Sequence, residues 1–144
     1  IFAPALDRMF HGFKGGGSVE KSPGREGPIR VRQLPASGSR AVASRSHRNE
    51  ETNRWLEAHQ IRDTVSIGSS LKFCLIACGE ADVYPRFGPT MEWDTAAGDA
   101  ILRAAGGLTT HPDGSVFRYG KAGYRNSSFI ASGQPDRWEP KASV

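Results

Sequence analysis

No apolar run in the 144 residues approaches the roughly eighteen that a membrane-spanning helix requires, so a helical span is not expected here. The first residues, Ile1-Phe-Ala-Pro4, lack the basic region and apolar core of a secretory leader. Cysteine is scarce. Cys74 and Cys78 lie four apart within one predicted helix, too few for a metal cage and in the wrong context for a disulfide framework, and they read as reduced thiols of a cytosolic protein. Aromatic residues are only 9% of the chain and do not interleave with its arginines, which argues against a base-stacking nucleic-acid surface. The net charge of +4 is also unevenly spread, with nine Lys/Arg against three acids in residues 1–48 and ten against twelve in residues 49–144. Arg30, Arg32, Arg40, Arg45 and Arg48 are scattered through strand-like and turn-like sequence. That suits a small anion or a solvated face better than a duplex.

What is present, 38% apolar and 24% charged residues, is the composition of a globular domain with its own core. The pattern changes near residue 40. Before it, Ile1–Ala5, Arg8–Lys14 and Pro28–Gln33 read as short strands separated by Pro4, by Gly15-Gly16-Gly17 and by the polar stretch Glu20–Gly27. After it, strands and helices alternate: Arg40–Arg45 (strand), Asn49–His59 (helix), Thr64–Ile67 (strand), Ser69–Asp82 (helix), Val83–Phe87 (strand), the helix of Trp93, then strands at Leu108–His111, Val116–Tyr119 and Ser128–Ala131. The expected fold class is α/β (α+β overall), in three parts. Residues 1–39 end an antiparallel sheet, 40–132 form an α/β domain, and 133–144, polar with two prolines, trail over the surface. A meander that hides one face only and opens on a strand leaves an exposed edge, so further chain is expected upstream.

The densest pattern is Glu92-Trp-Asp-Thr-Ala-Ala-Gly-Asp-Ala-Ile-Leu-Arg-Ala-Ala-Gly-Gly107. Trp93, Ala96, Ala97, Ala100, Ile101, Ala104 and Ala105 recur at helical spacing as a buried face of small residues, and Gly106-Gly107 supply a left-handed stop. A neighbouring element should therefore approach this helix closely. Asp94, in the first turn, is either a capping acid or an ionised carboxylate ready for a cation.

Val65-Ser-Ile-Gly-Ser-Ser-Leu-Lys-Phe73 runs from strand to helix through Gly68-Ser69-Ser70, a pattern that can seat a phosphate on glycine backbone and serine hydroxyls or can simply cap the helix. Lys72, a cation in a first turn that disfavours it, tilts the reading toward an anion. Arg86, ending the next strand, can close on the same anion with its planar fork. In Ser44-Arg-Ser-His-Arg48 a strand again leads into a helix, capped by Ser46 or Asn49, and His47 is either a ligand contact or a solvated loop histidine. His11, His59 and His111 have no spacing that suggests a joint metal site.

Trp93-Asp94, Ala96-Ala97-Gly98 and Gly106-Gly107 resemble the C-terminal signature of the inositol monophosphatase superfamily of magnesium-dependent phosphatases. With Ser-Arg-Ser-His, Gly-Ser-Ser-Leu-Lys-Phe and Ala-Asp-Val-Tyr-Pro-Arg-Phe-Gly added, nearly the whole chain resembles the C-terminal part of the bacterial 3′(2′),5′-bisphosphate nucleotidases. The resemblance implies a layered sugar-phosphatase fold, with 1–39 ending the sheet of a metal-site domain and 40–132 forming a nucleotide-binding domain. It implies hydrolysis of 3′-phosphoadenosine 5′-phosphate to AMP and phosphate with Mg2+, by a cytoplasmic protein, free or peripheral to the inner membrane. His47, Gly68, Ser69, Lys72 and Arg86 match nucleotide-contacting positions, and Asp94 matches a metal ligand.

Nothing in the chain matches the family's Asp-Pro-Leu/Ile-Asp-Gly-Thr loop; Asp113-Gly114, preceded by Pro112, is a turn. The resemblance therefore implies a partner in the missing N-terminal half of the same enzyme, and inactivity of these residues alone, because one carboxylate holds magnesium poorly against water. An inositol monophosphatase-like phosphatase and a non-catalytic nucleotide-binding module are the alternative readings.

Overall fold

A computed structural model describes residues 1–43 and 49–138. Phe2–Ala3 (β1), Arg8–Phe13 (β2), Gly17–Ser22 (β3) and Arg25–Ile29 (β4) form an antiparallel sheet in sequence order. In β2, Phe10 is buried while Met9, His11 and Phe13 face out, the two-residue period of a sheet with one covered face. β3 occupies sequence expected to separate strands. Its inward residues are polar, and so escape a search for hydrophobic alternation: the Ser18 hydroxyl donates to the Ile101 carbonyl at 2.7 Å, and Glu20 pairs with Arg8 at 2.7 Å. The turn into β4 is Ser22-Pro23-Gly24-Arg25, where proline presets its own φ and Gly24 takes φ +71°. The strand expected at Pro28–Gln33 accordingly ends at Ile29.

The rest of the described chain runs Arg40–Ala43 (β5), Glu50–Ala58 (α1), Asp63–Ser66 (β6), Leu71–Ala77 (α2), Val83–Arg86 (β7), Thr90–Met91 (β8), Glu92–Ala104 (α3), Leu108–Thr110 (β9), Arg125–Asn126 (β10) and Phe129–Ser132 (β11). Five strands make a mixed sheet in the order β6-β5-β7-β11-β9, with β5 parallel to β6 and β7 and β11 antiparallel to its neighbours. β8 and β10 pair as a short separate ribbon. The strand expected at Val116–Tyr119 reduces to one bridge, Thr110 with Val116. Helix α2 stops well before Asp82 because Gly79, at φ +77°, turns the chain: its N–H bonds the Ile76 carbonyl and the Glu80 N–H bonds that of Leu75, a Schellman ending.

α3 lies across the inner face of the antiparallel sheet and packs its other side on α2. The close approach expected at this helix falls at Gly98, where a Cβ would stand 2.6 Å from the Phe73 ring. The buried face differs from the expected one. Thr95, Gly98, Asp99, Ile101, Leu102 and Ala105 are buried, while Trp93, Ala96, Ala97 and Ala100 are exposed. Pattern reading missed this because the inner face carries a charged group: Asp99 is held by Arg103 at 2.8 Å, one turn on.

One apolar cluster runs from Phe10 and Ile29 through α2 and α3 to Phe73, Tyr84, Phe117 and Phe129 in the mixed sheet. A second, on the α1 side, joins Leu56, Ala41, Val83 and Ile130 to Trp138. Asn49 caps α1, accepting the Thr52 N–H at 2.9 Å, and Thr52 and Leu56 face inward. The surface tail expected from Gly133 does not start there, since Trp138 is buried and its indole donates to Ser132 at 2.6 Å. Two arginines offered to a small anion are already engaged. Arg32 forks onto Asp82 with two 2.8 Å bonds, and Arg40 pairs with Asp63 at 2.7 Å. Among the described residues no helix is long and apolar enough to cross a membrane.

Candidate active-site cleft

A cleft of about 670 Å³ opens where the loop before α2, the end of β7, the β8–β10 ribbon and the head of α3 meet. That is within the range of sites for small organic ligands. Gly68, Ser69, Lys72, Arg86 and Asp94, far apart in sequence, all line it; His47 lies outside the described residues.

The loop is shaped differently from the sequence expectation. Gly68 has an ordinary φ and open space around it, whereas Ser69 adopts φ +53°, a left-handed conformation that side chains other than glycine rarely take. Neither Ser69 nor Ser70 caps α2. Ser70 instead donates its hydroxyl across the cleft to the Asp94 backbone carbonyl at 3.0 Å.

Lys72 is more enclosed than a first-turn lysine expected at the surface, at 6% exposure. Its ammonium donates to the Ser69 carbonyl at 3.2 Å and sits 5.4 Å from the Tyr84 ring centroid. Burial first, and the nearby charge of Arg86 second, lower its pKa from the ordinary lysine value. Arg86 donates one Nη to the Pro89 carbonyl at 3.3 Å, while its buried Nε–H has no acceptor among the described residues. A buried donor without a partner costs on the order of 1–3 kcal/mol, which an incoming anion would recover. Tyr84 forms part of the floor, its hydroxyl pushed up to about 12 chiefly by burial.

At the head of α3 the Asp94 carboxylate accepts the Met91 N–H at 3.0 Å, so the capping role is real, and it remains exposed at the cleft. The neighbouring Glu92 is fully engaged. It accepts the Gly120 and Lys121 N–H groups at 2.9 and 3.0 Å and pairs with the Lys121 ammonium, which holds its pKa down to about 2. Asn126 ties the ribbon to the helix, its amide donating to Thr90 and Thr95, each at 3.1 Å.

Sequence reasoning assigned no role to Tyr84 or Arg125, which also line the cleft. Tyr84 stood inside a quoted motif but reads as core; Arg125 had no signal, because only the ribbon pairing brings it there. A different acidic group, Glu20, Cys78 and Glu80, has ligand atoms within 4.8 Å of one another. Arg8 already fills it, 2.7 Å from Glu20 and 2.5 Å from Glu80, so it is an ion-pair hub. His59 is satisfied by a 2.8 Å contact with the Trp55 carbonyl and stacks 4.0 Å from that residue's ring, and His111 by a 3.0 Å contact with the Ser128 carbonyl.

Two sheets with helices between them, and a cationic cleft facing one carboxylate, define a layered α/β protein built to receive an anion. The inositol monophosphatase family model matches residues 1–142, and the chain belongs to that family, whose enzymes are metal-dependent. It is 42% identical over 135 residues to the 3′(2′),5′-bisphosphate nucleotidase CysQ of Buchnera aphidicola, covering 92% of this chain and 50% of that protein. To CysQ of Escherichia coli K12 it is 45% identical over 106 residues, 74% of this chain and 42% of the relative. The crystal structure of CysQ from Bacteroides thetaiotaomicron superposes with a TM-score of 0.80 at 34% identity, over 91% of this chain and 55% of that one. The chain thus spans about half the length of these relatives.

Proposed function

We propose that these residues form the substrate-holding part of a magnesium-dependent phosphate monoester hydrolase that converts 3′-phosphoadenosine 5′-phosphate and water to AMP and inorganic phosphate. The observation that carries this reading is the placement of Lys72 and Arg86 on the same cleft as Asp94, together with the likeness to the CysQ relatives. A monophosphate held at Asp94 through a metal leaves the Lys72–Arg86 pair without a ligand, whereas a ligand with two phosphates uses both ends of the cleft.

In this reading Lys72 and Arg86 hold the phosphate that is not transferred, Arg86 through the Nε–H that lacks an acceptor among the described residues. Ser69 and the open backbone at Gly68 border that phosphate; His47, outside the described residues, is assigned to the nucleotide by the family resemblance alone. Binding energy from the remote group then positions the reacting ester at the head of α3. Tyr84 and Phe73 give the floor an apolar side that excludes water from the anchored end.

Asp94 is a hard oxygen donor with an exposed side, which fits one ligand position of a magnesium ion. Glu92 does not fit, since its oxygens are spent on Gly120 and Lys121. Magnesium bound there would neutralise charge on the transferred group and acidify a bound water. The other ligands would come from substrate, water and acids outside this chain.

Equilibrium binding to the full-length protein tests the reading. 3′-Phosphoadenosine 5′-phosphate should bind at least about tenfold tighter than inositol 1-phosphate, a difference of about 1.4 kcal/mol. Equal affinity for both would remove the argument for a two-phosphate cleft.

A further inference from the structure

Among the described residues the Arg125 side chain, exposed and lining the cleft, has neither an ion pair nor a hydrogen bond. Its place is well determined. The β8–β10 register sets Arg125 opposite Met91, whose N–H is the donor that holds the Asp94 carboxylate. Arg125 therefore starts about 5 Å, one antiparallel pair spacing, from the residue that carries that amide. Asn126, next in the chain, is 1% exposed and pins the ribbon through Thr90 and Thr95, so the strand is not free to drift from the head of α3. Lys72 and Arg86 reach the cleft from α2 and β7. The cleft thus has three cations in two groups.

We propose that Arg125 is a specificity-determining residue that grips the phosphate presented at Asp94, the one to be hydrolysed, while Lys72 and Arg86 grip the one that stays. The inference rests on the reading of the cleft as a two-phosphate site. A dianionic ester brought up to a carboxylate is repelled by it, and a nearby guanidinium offsets that repulsion. Its planar fork can donate to two phosphate oxygens at once, which fixes orientation as well as charge. Because Arg125 has no hydrogen-bond or ion-pair partner among the described residues, its donors are open to a ligand.

The test is calorimetric binding to the full-length protein with EDTA present, so that side-chain contacts are read without metal. The probes are 3′-phosphoadenosine 5′-phosphate, which carries both phosphates, and AMP, which lacks the 3′ group. Arg125→Gln should weaken the bisphosphate roughly tenfold and leave AMP unchanged, with Arg125→Lys in between. Equal loss for both ligands overturns the inference by placing Arg125 at the retained phosphate, and no loss for either overturns it by making Arg125 a solvated side chain. Wild-type protein that binds neither nucleotide overturns the two-phosphate reading and this inference together, whereas normal wild-type binding with an unaffected Arg125→Gln variant overturns this inference alone.

Discussion

The Ser70 hydroxyl donates to the backbone carbonyl of Asp94 at 3.0 Å, joining the loop before α2 to the first turn of α3. This bond spans the cleft between the proposed anchoring residues and the proposed metal ligand, so it sets the separation between the two ends of a bound ester. Ser70→Ala removes one partly exposed hydrogen bond, worth about 1 kcal/mol. Bisphosphate affinity in the full-length protein should fall several-fold while the midpoint of thermal unfolding moves by a few degrees at most. An unchanged affinity would show that the two walls hold their spacing without this link.

Lys72→Met keeps the buried stem and the contact with Tyr84 but removes the charge. It should lower kcat/KM for the bisphosphate at least about tenfold more than for a nucleotide monophosphate, and Arg86→Ala should do the same. The two ratios staying at the wild-type value would dispose of the anchor.

The same lysine makes binding pH-dependent. Its pKa in the free protein lies below the ordinary lysine value, and a bound phosphate favours the charged form. Affinity is then full below the lowered pKa and declines as pH rises through it. Titrating bisphosphate affinity across the alkaline range should show this decline in wild-type protein and its loss in Lys72→Met; parallel curves would rule it out.

Gly98→Ala places a Cβ 2.6–2.9 Å from three atoms of Phe73. Both helices are packed at this point, so the strain should cost about 1–3 kcal/mol. Chemical denaturation should show a lower midpoint at unchanged slope.

Burial pushes the Cys74 thiol up to about 12, and burial with the charge of Glu80 pushes Cys78 up to about 11, from an ordinary 9.0. Both are thiols at neutral pH and should resist alkylation in the native state. Their raised values favour the folded protein below pH 9 and that contribution is lost as pH rises toward 11 and 12. Rapid labelling of native Cys74 by iodoacetamide at pH 8 would contradict this.

The sequence was most legible where a backbone conformation demands a particular residue. The left-handed stop at Gly106 follows from a local rule that tertiary packing does not override, and the Asn49 cap is one of the two that such a rule offered, Ser46 or Asn49; the small residues of α3 pointed to a close approach, but only the packing against Phe73 places it at Gly98. Legibility failed where buried residues are polar but satisfied. Ser18 and Glu20 hid β3, and Asp99 with Arg103 disguised the inner face of α3. Of the cleft, Lys72, Arg86 and Asp94 stood out because each is costly or unusual in its place. Arg125 did not, since its role depends on a pairing between residues more than thirty positions apart in sequence.

Magnesium-dependent phosphate release by the full-length protein, compared between 3′-phosphoadenosine 5′-phosphate and inositol 1-phosphate, tests the central claim most directly. The account predicts a higher kcat/KM for the bisphosphate, with AMP as the other product, and a loss on the order of 100-fold or more in Asp94→Asn, which can still accept the Met91 N–H through its carbonyl oxygen. Faster turnover of inositol 1-phosphate, or undiminished bisphosphate hydrolysis in Asp94→Asn, would contradict it.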